Sequence, residues 1–273
     1  MRVLRTINNN VVICLDNNEN EVVAFGKGIG FKKKNNDIIE LSKIDRTYYK
    51  VKTEYVDMIA HISQDILDVS IKIIDYCRSH LKKTINPNVI FTLADHINFA
   101  IQRQSQGIQL KNALLWETKK FYHQEYLMGK YAVDLLNEKL GTEFTEDEAG
   151  FIALHFVNAE YNTTINDTFE MTNMIQKILE LVRLEMGIEF DEESLHYERF
   201  ITHLKFLVQR LYRHELLKDE EIEFARMMEN KYPKEYECSK HIAEYIEKEY
   251  GSGIASEEIM FLAIHIKRVC MAG

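Results

Sequence analysis

Along residues 1–55 the apolar residues come in short β-rich runs: RVLRTI, VVICLD, EVVAFG, GIGFK, DIIE and TYYKV. Turn formers separate the first of them, Asn8-Asn9-Asn10 and then Asn17-Asn18-Glu19-Asn20. Asparagine tolerates the left-handed backbone that tight hairpins need. The glycine-rich turn Gly26-Lys27-Gly28-Ile29-Gly30 follows. This pattern predicts a small antiparallel sheet. So few residues bury little surface, so the sheet is expected to gain from dimerising.

From Val56 the period changes. Val56, Ile59, Ile62, Ile66, Val69 and Ile73 recur at helical spacing. Pro87, flanked by Asn86 and Asn88, breaks the pattern, and a second helix then carries His96 into Gln102-Arg103. Residues 110–139 predict one or two long helices stopped by Gly141. Thr145 and Glu148 read as a capping box opening the helix of His155. Ser194 and Leu195 mark the start of the helix of His203. The expectation is a multidomain chain: a small antiparallel sheet over 1–55, then two all-α helical bundles over 56–168 and 169–273. The polar stretch Asn162-Thr163-Thr164-Ile165-Asn166-Asp167 is the expected junction.

The helical part repeats itself. H-x-x-F-x-x-Q-R occurs at His96, Phe99, Gln102, Arg103 and again at His203, Phe206, Gln209, Arg210, an offset of 107 residues. Further on, Tyr122/Tyr232, Tyr126/Tyr236, Gly141/Gly251, Glu148/Glu258, Phe151/Phe261, Ala153/Ala263 and His155/His265 share an offset of 110. The length and register indicate a duplicated domain, and two histidines kept in each copy indicate a duplicated chemistry.

Composition narrows the setting. At 273 residues and 46% hydrophobic, the chain can build several cores. No apolar run reaches the roughly eighteen residues a membrane span needs, so no membrane insertion is expected. MRVLRTINNN lacks the apolar stretch of a signal peptide, and Cys14, Cys77, Cys238 and Cys270 are scattered. Together these fit reduced thiols and a cytoplasmic location. Residues 1–55 hold ten Lys/Arg and seven Asp/Glu, a net of +3 in a chain whose net charge is −9. That places any polyanion-binding surface on the N-terminal module, although +3 is ordinary for a small domain.

Three chemistries use paired histidines. Metal binding is disfavoured: no carboxylate or thiol stands at close ligand spacing in both copies, Asp95 has Thr202 as its counterpart, and no H-E-x-x-H occurs. Hydrolysis lacks a nucleophile motif, and G-K-G-I-G lacks the setting and ending of a phosphate-binding loop. No cofactor is called for. Reversible phosphorylation remains, since a neutral imidazole is nucleophilic near cellular pH and a phosphoryl group adds about two negative charges. Arg103 and Arg210 follow their histidines by two turns on roughly the same face. Pairing with a phosphate and pairing with a carboxylate or solvent are equally open for them.

A β-rich module opening R-x-I-N-N-N, with G-K-G-I-G-F and two helical repeats with paired histidines, resembles the BglG/SacY family of transcriptional antiterminators. DHINFAIQR, KNALLWETKK, EDEAGFIALHFVNAE, ESLHYERFITHLKF and YECSKHI are especially similar to its LicT-type β-glucoside operon members. The resemblance covers the whole chain. It implies a non-enzymatic regulator whose dimeric N-terminal co-antiterminator domain clamps a leader mRNA hairpin, so that the overlapping terminator does not form. It implies two PTS-regulation domains behind it. The sugar-specific Enzyme II would phosphorylate the first, at His96 and His155, to inactivate. HPr would phosphorylate the second, at His203 and His265, to activate.

The family's RNA-contacting positions fall on Arg5, Asn8, Asn10, Gly26, Lys27 and Phe31. Cationic side chains suit phosphates, amides suit base edges, and Phe31 suits stacking. Turn formation is a competing role for Asn8 to Asn10, and Lys32-Lys33-Lys34 reads as a solvated turn. Position 27 is often Arg in LicT-type members. Lysine lacks its bidentate fork, which implies a looser phosphate contact. A DNA-binding activator with similar regulatory domains is the alternative. Strands and Asn/Gly turns, where a helix-turn-helix would show helical periodicity, argue against it.

Overall fold

The computed structural model describes all residues except Lys82, Asn162, His214, 216–221, Ala272 and Gly273, with backbone alone for Ile165 and 222–225. The described chain divides into two compact units, Met1–Thr163 and Thr164–Gly273.

The first unit opens with an antiparallel meander, β1 (Arg2–Thr6), β2 (Val11–Leu15), β3 (Glu21–Phe25) and β4 (Arg46–Tyr49), in that spatial order. The register sets Val11 opposite Phe25, Ile13 opposite Val23, and Val23 opposite Tyr48. Alternation then sorts the side chains onto two faces. Val12, Cys14, Val22 and Ala24 cluster with Val3, Ile29 and Ile39, residues drawn in part from the 26–44 loop. Val11, Ile13, Val23, Phe25 and Tyr48 join the core of the helices instead. Phe91 meets Phe25 and Tyr48 there, with ring centroids at 6.2 and 5.4 Å. The sheet expected to be marginal alone is thus covered on this face by helices of its own unit.

Two of the predicted runs are not strands. GIGFK forms successive turns, and DIIE makes only an isolated bridge between Ile38 and Arg2. Three residues at positive φ, Gly28, Lys32 and Asn36, turn the backbone into the left-handed region at short intervals and keep this loop from pairing at length.

The helices of the first unit are α1 (Thr53–Ile59), α2 (Gln64–His80), α3 (Val89–Ser105), α4 (Leu115–Phe121), α5 (His123–Leu140) and α6 (Glu146–Tyr161). Val56, Ile59, Ile62, Ile66, Val69 and Ile73 are all buried, as their spacing predicts. Gly141 ends α5 in the left-handed conformation. The second unit contains α7 (Ile165–Met186), α8 (Leu195–Arg213), α9 (Ile222–Lys231), α10 (Pro233–Tyr250) and α11 (Ser256–Cys270). Thr164 caps α7 in a reciprocal box with Asp167. The expected boundary at residue 168 therefore falls inside α7. Asn162 of the expected junction lies outside the described residues.

Candidate phosphoacceptor and RNA-binding sites

In the first unit α3 packs on α6, and in the second α8 packs on α11. These are the four helices that carry the repeated histidines. Each pair is brought together across its helix contact. His96 and His155 lie with ring centroids 4.7 Å apart and planes at 49°. His203 and His265 lie 4.7 Å apart at 21°. A matched phenylalanine flanks each first histidine, Phe151 at 6.2 Å from His96 and Phe261 at 6.1 Å from His203.

Burial favours the neutral form of His155, His203 and His265. His155 is pushed well below the ordinary imidazole value by desolvation, with the His96 ring adding to it. His203 is lowered to about 3 by burial, then by His265 and Arg210. His265 is lowered by burial, with Arg268 and Arg199 contributing. Nε2 of His155, Nε2 of His203 and Nδ1 of His265 are buried without a hydrogen-bond partner. A neutral ring with an unspent lone pair is a nucleophile.

An arginine–glutamate pair stands beside each histidine pair, again in both copies. In the first, Arg103 Nη2 lies 3.2 Å from Glu148 Oε2. In the second, Arg210 donates from both Nε (2.8 Å) and Nη2 (2.7 Å) to Glu258, whose side chain is fully buried. Burial raises the Glu258 carboxyl, and Arg210 opposes that shift. The open choice for the two arginines is thus settled as a carboxylate pairing in this state.

The capping box read at Thr145 and Glu148 is corrected. The Glu148 backbone N–H goes to the Thr145 carbonyl, while its side chain turns inward to Arg103 and His96. Glu148 Oε1 is 2.6 Å from His96 Nε2, but lies off the line of the ring N–H, so this is a close contact more than a formed hydrogen bond. Sequence reasoning missed both glutamates as site residues, although their agreement across the repeat was visible.

At one end of the sheet, hydrogen bonds lace the two expected RNA-contacting turns together. Asn10 O accepts from Gly26 N at 3.0 Å and Asn9 O from Gly30 N at 2.9 Å. Asn10 Oδ1 accepts from Gly28 N at 2.6 Å, and Asn8 Oδ1 from Asn10 N at 2.9 Å. Both asparagines therefore build the turn through Oδ1. Neither Nδ2 group has a protein partner among the described contacts. A Cβ at Gly26 would stand 2.1 Å from the Lys43 carbonyl oxygen, so only glycine fits this approach. Lys27 is exposed, and Phe31 is 57% exposed with Lys32 Nζ 5.3 Å from its ring. The structure thus groups Asn8, Asn10, Gly26, Lys27 and Phe31. Arg5 on β1 instead pairs with Asp57 of α1 at 3.2 Å, both largely exposed. Lys33 Nζ bonds the Ile38 carbonyl, which makes that lysine part of the loop.

A model of the CAT RNA binding domain matches residues 1–56, and a model of the PRD domain matches 71–159 and again 176–269. Transcription antiterminator LicT of Bacillus subtilis (strain 168) is 41% identical over 273 residues, covering 98% of this chain and 99% of that protein. The chain belongs to the BglG/SacY family of transcriptional antiterminators. The Beta-glucoside operon antiterminator of Dickeya chrysanthemi is similar at 34% identity, over 98% of this chain and 96% of that protein. Among solved structures, the GlcT CAT-PRDI crystal structure matches with a TM-score of 0.51 and 37% identity, over 58% of this chain and 97% of that one. The PRD matches coincide with the two histidine-bearing repeats, and the CAT match with the meander.

Proposed function

We propose that this antiterminator holds an RNA hairpin in the leader of a β-glucoside utilisation operon and is switched by phosphoryl transfer to His96, His155, His203 and His265. The observation that carries the switch is the duplication of one arrangement. Two histidine rings meet at the same 4.7 Å spacing in each unit, with buried ring nitrogens left unpartnered. The function is regulatory and not enzymatic, and it is exercised in the cytoplasm.

In this reading residues 1–55 bind RNA, 56–163 form the first regulatory domain and 164–273, from the cap of α7 onward, the second. Lys27 and Arg5 neutralise phosphates, Asn8 and Asn10 present Nδ2 donors to base edges, Gly26 admits the backbone, and Phe31 stacks on an unpaired base. Sequence-selective RNA contacts fall on unstacked bases, which suits an exposed ring beside free amide donors. The N-terminal module is a sheet, as against the helical reader of a DNA-binding activator.

Phosphorylation supplies the switch because the sites are dry. About two negative charges placed on a buried ring next to Glu148 or Glu258 are costly unless the helix pair opens or rearranges. The sugar-specific Enzyme II acts on the first domain to inactivate, and HPr on the second to activate. The working species is a homodimer. The exposed rings of Phe99 and Phe206, one turn beyond His96 and His203, support pairing beside the histidines.

Readthrough of the operon leader in cells tests the switch. His96→Ala and His155→Ala are expected to give readthrough without the inducing sugar. Inducer dependence persisting in both variants would remove the role assigned to the first domain.

A further inference from the structure

The two copies differ at one point. Glu258 is held by both Nε and Nη2 of Arg210 and makes no ion pair with His203. Glu148 is held by Arg103 Nη2 alone and reaches over to His96, 2.6 Å from Nε2. The Arg103 Nε–H is left buried without a hydrogen-bond partner. A cavity of about 40 Å³ adjoins the pair, lined in part by Gln104, Phe144 and Thr145.

We propose that Glu148 and Arg103 form a two-position latch on His96, one that the second domain lacks. The inference rests on His96 being a phosphoryl acceptor. With the ring bare, the Glu148 carboxylate stands against Nε2 and favours the tautomer whose proton is there, which removes the lone pair that must attack. It also occupies the space a phosphoryl group needs. For transfer, Glu148 swings into the adjoining cavity and the ring takes the Nδ1–H tautomer. The Nε2 lone pair attacks the phosphorus of a phosphoramidate-type donor. The donor P–N bond breaks as the new one forms, and the Nδ1 proton passes through solvent to the departing donor nitrogen. Arg103, buried and with a spare Nε–H, then turns its fork from the carboxylate to the phosphoryl oxygens. Glu148 is thereby a brake on loading and Arg103 a positioning residue for the loaded state.

The test uses the full-length protein with potassium phosphoramidate as the phosphoryl donor. Peptide-resolved mass spectrometry at alkaline pH follows His96, with His203 of the same molecules as internal reference. ³¹P NMR assigns the ring nitrogen. Glu148→Gln is expected to accelerate loading of His96 about tenfold relative to His203, at Nε2, because a repelling carboxylate becomes neutral. The double variant Glu148→Gln/Arg103→Gln leaves no buried charge unpaired and guards against misfolding. It is expected to keep the faster loading but to lose phosphate from His96 about tenfold faster than Glu148→Gln alone. Unchanged or slower loading in both variants, or label on Nδ1, would overturn the latch while leaving His96 an acceptor. Absence of label on any histidine of the unaltered protein, from phosphoramidate and from a phosphohistidine carrier protein alike, would overturn the phosphorylation reading and the latch with it.

Discussion

The rings of His203 and His265 stack at 4.7 Å and 21°. Two imidazoles so close and so buried cannot both carry a proton at low cost, and burial comes first among the causes that lower each of them. His203 is near 3 in the folded protein against an ordinary 6.5. The unfolded chain therefore binds the extra proton between those values. Stability contributed by this site is complete above about pH 6.5 and falls as the pH drops towards 3, by about 1.4 kcal/mol per unit from His203 alone. Urea unfolding of the full chain between pH 5 and 7 is expected to show this slope, and His203→Gln to flatten it. The same slope in both proteins would contradict the burial argument.

Breaking the Arg210–Glu258 pair from one side is expected to be severe. Glu258 is fully buried and held by two hydrogen bonds. Arg210→Met would strand that carboxylate and cost about 3–5 kcal/mol, whereas Arg210→Met/Glu258→Leu, which removes both charges, would cost much less. Chemical denaturation of the three proteins reads the difference. Equal losses in the single and double variants would show that shape at this site matters more than charge.

Gly26→Ala is expected to damage the RNA-binding end by geometry. The new methyl would meet the Lys43 carbonyl oxygen at 2.1 Å, and a backbone atom cannot turn aside as a side chain can. A shift of the turn costing about 1–3 kcal/mol would follow, with loss of RNA affinity. Gly28→Ala meets nothing within 4 Å and carries only the strain of φ +71°. It should cost about 1–2 kcal/mol. Thermal unfolding beside RNA binding separates the two. Equal stability of Gly26→Ala and the parent protein would mean that the 26–31 turn is free to move.

Helical periodicity was legible from Val56 to Ile73 because each of those apolar positions faces the core of the first unit, and so was the chain stop at Gly141, whose repeat counterpart Gly251 ends α10 in the same left-handed conformation. The four histidines were legible because duplication repeats them. Glu148 was not. Its place three residues after Thr145 satisfies a local capping pattern, and only the packing of α3 on α6 shows that the side chain turns inward. Thr164 and Asp167 make the reverse case, a working cap hidden in a polar stretch that reads as a linker. GIGFK and DIIE have strand-like composition, but the turns set by Gly28, Lys32 and Asn36 leave them no length to pair. The packing of Phe25 and Tyr48 on Phe91 was not legible, because nothing local in either segment shows that the sheet and the helix meet.

Asn10 separates a structural role from a recognition role. Its Oδ1 holds the Gly28 amide and its Nδ2 group is free of protein partners among the described contacts. Asn10→Asp keeps the acceptor, so the turn should persist with unfolding close to that of the parent. It loses the donor and adds a negative charge, so RNA affinity should fall. Melting and RNA titration of the same sample check both halves, and unaltered affinity would confine Asn10 to the turn.

The most direct measurement is the affinity of the full-length protein for a hairpin RNA with internal loops, against duplex DNA of the same sequence, at one fixed salt concentration. The expected result is selective, salt-dependent RNA binding that Phe31→Ala weakens by about 1–3 kcal/mol, the worth of one stacked base. Equal binding to the two nucleic acids, or RNA binding indifferent to Phe31, would contradict the assignment of the exposed turn as the RNA-reading surface.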